Sequence, residues 1–570
     1  MRRIALIAAA ALAAVCCAQQ PGGEPAAEPV ASGIPHLEKC GQATQLIVDG
    51  KPYLALAGEL KNSSSSSASY MAGKWRQLKE SGLNTVIGVL TWEQIEPREG
   101  EYDFANVDKL ISAARDEGLK LVLIWMGSWK NGITSYDPAW VKSDTERFAL
   151  AMTQDGLRLP ILSTQSLAAR DADARAYAAT MRHIRETDSA HTVIMMQMEN
   201  EVGLHGSTRD FSPEAVKAFE GDVPAALIEY LTANEDSLLP ETSDAWTAAG
   251  KKTSGSWQDV FGTGDRADEF FMAWSYASYM DAIAAAGKAE YDIPVYVNAW
   301  IVQPEDSHPG DYPSGGPQAQ CHDIWRAAAP HIDILSPDIY LADYPSILRM
   351  YARSGNPVFV PESKGGLSGA ANAAFTFGEM CGIGYSPFGV DNMTGADGFY
   401  PLACFYRTVS SISAEILEAQ AEGRICGVWL KGSNPMVLTD ERVMGDTKLV
   451  FSLKSSGGRN GGAPTALGGT YDPDEVGYAI AIREQDGFLV MGANVRVQFQ
   501  PADGSGICGL AKVTEGKMVD GVWQEGRWLN GDEIQLRYDL VAAAGEGYSG
   551  QGLNFSNSCP ELIKVELFKY

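Results

Sequence analysis

The 570-residue chain sets 45 Lys and Arg against 72 Asp and Glu, a formal charge of −27, and is 45% hydrophobic and 21% charged. This is the composition of an ordinary folded protein, and its acidity excludes the basic footprint that nucleic acid or an anionic membrane surface requires. The length exceeds what one hydrophobic core normally serves, so a catalytic domain with at least one accessory domain is expected.

Residues 1–18, MRRIALIAAAALAAVCCA, join Arg2 and Arg3 to an apolar tract with a small-residue end, the pattern of an export leader. Cys16 and Cys17 stand where a lipoprotein acceptor would, although Val15 and Cys16 are poor residues just before it. An exported protein is expected, periplasmic, outer-membrane-associated or secreted. No later segment approaches the ~18 uninterrupted apolar residues of a membrane-spanning helix. A Pro, Ala and Glu-rich linker occupies 19–40. Cleavage after Ala18 leaves Cys40, Cys321, Cys381, Cys404, Cys426, Cys508 and Cys559, without metal-ligand spacing. No metal or cofactor is expected, and these are read as buried thiols or a disulfide.

Over 41–422 apolar strands alternate with amphipathic helices. The strand candidates are 53–60, 84–90, 120–126, 192–199, 293–300, 332–340, 357–362 and 382–390, with helices such as YMAGKWRQLKESG, ANVDKLISAARDEG and ARAYAATMRHIRETD between them. Eight buried strands with helical crossovers point to a (β/α)8 barrel, an α/β fold, with 201–293 as an insertion or lid. A doubly wound sheet is the alternative, but GTGDRAD at 262–268 lacks the strand that a phosphate-binding turn needs before it. From 423 to 570 short alternating strands with tight turns predict an all-β sandwich-type accessory domain. Its Trp523 and Trp528 are read as packing rather than sugar-binding rings.

A barrel of this kind gathers function at the C-terminal ends of its strands. Those ends carry Glu59 and Asn62, Trp92 and Glu93, Trp129 and Asn131, Asn200 and Glu201, Asn298 and Trp300, Asp338 and Tyr340, Glu362, and Tyr385. VIMMQMENEVG and PVFVPESKGG each run from buried strand to isolated carboxylate, which makes Glu201 and Glu362 the candidate catalytic pair. Two carboxyl groups, one protonated and one ionised, suit cleavage of a glycosidic bond through an oxocarbenium-like transition state. Glu201 is read as general acid and then base, Glu362 as nucleophile, Tyr340 as a donor to Glu362, and Asn200 as a donor to the sugar 2-hydroxyl. Trp92, Trp129 and Trp300 are candidate stacking rings. Glu199 competes with Glu201, because alternation sends residues two apart to one side of a strand. The run Ser63 to Ser67 is read as a flexible loop.

The segments TWEQIEPREGEYDF, MMQMENEVG and VFVPESKGG resemble glycoside hydrolase family 35, β-galactosidases, in the bacterial branch related to enzymes that trim galactose from xyloglucan side chains. The resemblance spans about 45–420 and implies a retaining mechanism with Glu201 as acid/base, Glu362 as nucleophile, Asn200 on the sugar and Glu59 in the pocket wall. It departs at Leu60-Lys61-Asn62, at MGSWKNG and at GYSPFGV, the parts that recognise galactose, so the reaction class is the firmer expectation. The expected partner is a carbohydrate. An arabinopyranosidase, a glucosidase and a non-catalytic carbohydrate-binding barrel are the alternatives.

Overall fold

The computed structural model describes residues 33–392, 400–454, 475–531, 534–535 and 551–570. The leader, Cys16, Cys17 and most of the linker lie outside the described residues.

Eight parallel strands close a barrel: β1 (Ala55–Glu59), β2 (Thr85–Thr91), β3 (Lys120–Lys130), β4 (Val193–Asn200), β5 (Val295–Trp300), β6 (Ile334–Ile339), β7 (Phe359–Ser363) and β8 (Gly384–Pro387). The eight sequence candidates are these eight strands, because continuous apolar runs bury both faces, one into the barrel and one against helices. Ala57, Ile87, Ile124, Met195, Ile334 and Phe359 belong to the cluster that fills the barrel interior. A three-stranded antiparallel sheet over residues 36–53 precedes β1 and adds Leu46 and Val48 to the same cluster. The interval 201–293 holds short helices ahead of the crossover helix α2 (Asp265–Lys288), which packs on α1 (Leu167–Thr187).

After β7 comes α3 (Gly366–Gly378), and the barrel ends with α4 (Tyr400–Ser411) and α5 (Ser413–Glu422). The C-terminal region is a two-sheet sandwich. Its six-stranded sheet runs, in spatial order, Ile425–Lys431, Val476–Arg483, Gly487–Ala493, Glu561–Lys569, Cys508–Val519 and Val522–Trp528. A five-stranded sheet covers one face of it. Its other face supplies Trp429, Tyr478, Ile480 and Met491 to the core of the barrel helices, so barrel and sandwich share one apolar interior. Trp523 packs on that core, whereas Trp528 stays 64% exposed with Lys512 over its ring. Cys321, Cys426 and Cys508 are buried thiols.

The seam between α3 and the sandwich is tight. Trp429 Nε1 donates to Asn372 Oδ1 at 3.0 Å, and a Cβ on Gly427 would stand 2.6 Å from the Ala374 carbonyl oxygen. That approach requires glycine for space rather than for φ. Gly427→Ala is therefore expected to lower stability by about 1–3 kcal/mol, as overpacking does, measured by chemical denaturation; an unchanged midpoint contradicts a close-packed seam.

Candidate active site

β4 ends in an unusual hook. Glu199 and Glu201 both take left-handed backbone, φ 55° and 49°, with Asn200 between them. Such residues cost of order 1–3 kcal/mol each and persist only where the surroundings pin them. The pins are visible. Asn131, itself at φ 51°, donates its N–H to the Asn200 carbonyl at 2.8 Å; Gln197 Nε2 donates to the Glu199 carbonyl at 2.8 Å; and the Glu201 N–H donates to Asn298 Oδ1 at 2.9 Å.

The hook breaks strand alternation and separates the two glutamates. The Glu199 carboxylate accepts the backbone N–H groups of Gly127, Ser128 and Trp129 at 2.8–3.0 Å, where β3 slips register against β4. Burial, with Asp173 beside it, holds Glu199 well above its ordinary value; burial likewise raises Asp173 to about 6. Glu199 is thus committed to the backbone, and the alternation argument that made it a rival of Glu201 does not hold here.

Amide side chains then run around the strand ends. Lys130 Nζ donates to Asn131 Oδ1, which also accepts from Asn200 Nδ2 at 3.0 Å. Asn298 Nδ2 donates to Asn200 Oδ1 at 2.9 Å and to Asp338 Oδ2 at 2.6 Å. Both amide hydrogens and the carbonyl of Asn298 are therefore used within the protein. The structure makes it a brace between β4, β5 and β6, which corrects its reading as a sugar contact.

Carboxyl groups crowd the space inside this ring. Glu201 is pushed up to about 8 by burial and by the negative charge of Glu362, while an Asp338 hydrogen bond and Lys130 act in the opposite direction. Burial also raises Glu362, but Tyr340, whose hydroxyl donates to Oε1 at 2.6 Å, and Lys130 oppose it. Glu59, at the end of β1, is held well above the carboxylate range by burial and by Glu362 and Glu201, and its Oε1 has no hydrogen-bond partner. The arrangement places one carboxyl that keeps a proton beside one that two neighbours favour as an anion.

The remaining candidates divide. Trp92 is 0% and Trp129 1% exposed; their indole N–H groups donate to Glu96 Oε2 and the Leu162 carbonyl, and their rings pack on Trp140 and on Tyr276 and Tyr279. Both are core residues, which corrects their reading as stacking platforms. Trp300 is partly exposed and meets His205 edge-on at 5.3 Å. Tyr385 is buried and donates to the Lys364 carbonyl. Asn62 lies partly exposed on the loop after β1. The serine run beside it is anchored rather than loose: Ser64 Oγ donates to Asp391 Oδ2 at 2.7 Å and Ser65 Oγ accepts from the Val89 N–H at 2.8 Å. Sequence reasoning passed over Lys130 and His205; a cation closing a strand whose neighbours end in carboxylates was the available signal for the first.

Residues 64–260 match the family model Glyco_hydro_42, described as Beta-galactosidase, and residues 402–540 match DUF5597, a domain of unknown function. The barrel is similar to β-galactosidases. A β-galactosidase of Xanthomonas manihotis is 28% identical over 210 residues, 36% of this chain and 31% of that protein; one of Arthrobacter sp is 26% identical over 223 residues, 36% and 29%. Among solved structures, β-galactosidase from the psychrophilic Marinomonas ef1 aligns at TM-score 0.41 and 13% identity, over 65% of this chain and 60% of that one. The matched stretches thus span less than a third of either curated relative. The family match corrects the family 35 expectation: the likeness runs through Glyco_hydro_42, over a stretch that contains Glu201 and stops before Glu362.

Glu199→Ala strips the acceptor from three buried N–H groups, and is expected to cost at least about 3 kcal/mol. Glu201→Ala, whose side chain holds no backbone donor, is expected to stay within about 1 kcal/mol of the parent. Denaturant melts of the two variants compare them directly, and equal losses would contradict the structural role of Glu199.

Proposed function

We propose that this protein is a retaining glycoside hydrolase of β-galactosidase type that removes terminal galactosyl residues by double displacement. The observation that carries the reading is the unequal environment of two facing carboxyls. Burial raises both, but Tyr340, hydrogen-bonded to Glu362, and Lys130 oppose the rise at Glu362, whereas Glu201 is pushed up to about 8. Pairs of titratable groups pushed apart in this way mark acid and nucleophile.

In the first step Glu362 attacks the anomeric carbon and Glu201 gives its proton to the departing glycosidic oxygen. Charge spreads over the ring oxygen and C1 in the transition state, next to the cluster of carboxyls. In the second step Glu201, now ionised, takes a proton from water, whose oxygen attacks C1 and releases Glu362. Glu201 ends as it began, protonated. Asn200 commits one of its two amide hydrogens to Asn131, and the other is the donor proposed for the 2-hydroxyl. The narrower substrate, galactose-capped plant fragments such as those of xyloglucan, and export through residues 1–18 rest on sequence motifs.

Hydrolysis of p-nitrophenyl β-D-galactopyranoside, beside the glucoside, fucoside and α-L-arabinopyranoside, tests the reading. Glu362→Ala is expected to lose at least about 10³-fold in kcat, and azide to restore turnover with a glycosyl azide of inverted configuration. Glu201→Ala should lose about 10²–10⁴-fold, less on the nitrophenyl glycoside than on a disaccharide, because nitrophenolate departs with little protonation. Full activity in either variant refutes the pair, and release from a different glycoside keeps the mechanism and replaces the sugar.

The pH profile of kcat/KM follows from the same two groups. Activity should rise as Glu362 loses its proton, at a pH above the ordinary glutamate value of 4.5, and fall as Glu201 loses its own, near 8. A falling limb that stays in place in Glu201→Gln assigns that limb elsewhere.

A further inference from the structure

β6 sends Ile334, Ser336 and Asp338 to one side, and the first of these belongs to the cluster filling the barrel. Asp338 is therefore the uppermost inward residue of the strand, in register with Trp300 of β5 on one side and Glu362 of β7 on the other. Its side chain is buried, and its two oxygens are treated differently. Oδ2 accepts from Asn298 Nδ2 at 2.6 Å, whereas Oδ1 meets no N–H or hydroxyl donor among the described residues. The Asp338 carboxyl neighbours that of Glu201 across the strand ends, with each shifting the other's hold on a proton.

Two carboxyl groups can share a hydrogen bond only if one carries a proton. The neighbours say which. Burial is the largest penalty on the Asp338 anion, Glu362, Glu201 and Glu59 each add to it, and Tyr296, Tyr340 and Tyr351 lie within its electrostatic reach. Lys130 acts on Glu59, Glu201 and Glu362, and is not among the main influences on Asp338. Burial and the surrounding carboxyls hold Asp338 well above its ordinary value, and its unpartnered Oδ1 offers a place for the proton.

We propose that Asp338 is a positioning residue of this site, a neutral carboxyl that donates a hydrogen bond to one oxygen of Glu201 in both halves of the reaction. The inference rests on the glycosidase reading and deepens it. When Glu201 is the acid, Asp338 holds its carbonyl oxygen and leaves the protonated oxygen toward the leaving group. When Glu201 is the base, the same bond stabilises the carboxylate. The proton of Asp338 is neither consumed nor transferred: Glu201 loses one proton to the leaving oxygen and regains one from water. Asn298 completes the device. It accepts the Glu201 backbone N–H and donates to Asp338 Oδ2, so one amide fixes the Glu201 backbone and the Asp338 carboxyl relative to each other.

The experiment compares D338N with D338A. Asn retains both halves of the geometry, an oxygen for Asn298 and an N–H for Glu201, without a titratable proton. D338N is expected to keep kcat/KM within about threefold of the parent, while D338A loses at least about tenfold, chiefly in kcat. In D338A the falling limb of the pH profile should move above its parental position near 8, since the bond that lowers Glu201 is gone. Infrared difference spectra at neutral pH give a readout independent of turnover: a protonated-carboxyl C=O band present in the parent should vanish in D338N. Equal pH profiles for D338N and D338A, or an undiminished band in D338N, overturn the proposal. A parent protein that cleaves no β-glycoside overturns the proposed function alone, and the infrared band then decides for or against Asp338. Thermal melts confirm that both variants are folded before either result is read.

Discussion

The controlling constraint in this protein is the crowding of carboxyl groups at the mouth of a dry barrel. Glu59, Glu201, Asp338 and Glu362 act on one another there, with Lys130 as the cation that reaches three of them. Like charges this close cannot all ionise, so the site must sort its protons, and the sorting is the chemistry. The arrangement costs stability. A carboxyl raised on folding keeps a proton that the unfolded chain releases, so its contribution is best below the ordinary glutamate value of 4.5 and declines as pH climbs toward about 8 for Glu201. That penalty is tolerable only because a large apolar interior, continuous from barrel to sandwich, offsets it.

Backbone strain follows from the same requirement. An extended β4 would have sent Glu199 and Glu201 to one side and added a further charge to the cluster. The left-handed residues at 199 and 201 turn Glu199 away to bind three N–H groups of β3. Glutamate pays for that role in strain, and only a glutamate or aspartate offers enough acceptors for three donors. The register slip of β3 against β4 is the matching irregularity on the other strand, and it delivers Lys130 opposite Asn200. Acid, brace and cation are thus set by one local distortion shared between two strands.

Much of this was legible in the sequence. Each barrel strand appeared as an apolar run, since burial of both faces leaves no polar alternation, and the proposed pair stood out as carboxylates at the ends of such runs, with Glu199 left as a rival to Glu201. The details that failed share a cause: a strand end says which residues lie near the mouth, and not which way they turn. Trp92 starts a helical turn that folds its ring inward onto Trp140, and Trp129 sits within the displaced end of β3. Asn298 faces the mouth but spends every polar atom on its neighbours. The serines looked loose by composition, yet Asp391, more than 300 residues along the chain, supplies their partner. Contacts of that separation leave no trace in a single sequence.

The two halves of the mouth are built differently. The Glu201 side depends on the hook, on Asn298 and on the loops beyond β4, where Leu204 pairs with Ser314. The Glu362 side is buttressed from behind. Tyr406 of α4 donates to the carbonyls of Ala57 and Tyr385 at 2.9 and 2.8 Å, tying β1 to β8, and Phe405 next to it packs on Tyr478 of the sandwich. Helix α3, which follows Glu362 directly, carries Asn372 onto Trp429 of the same sheet. A nucleophile must hold its position through bond formation and bond cleavage, whereas an acid/base needs a rotamer and a proton supply. On the proposed roles, the accessory domain stands behind the strands for which rigidity matters most, which is a physical reason for it to share a core with the barrel rather than hang from a linker.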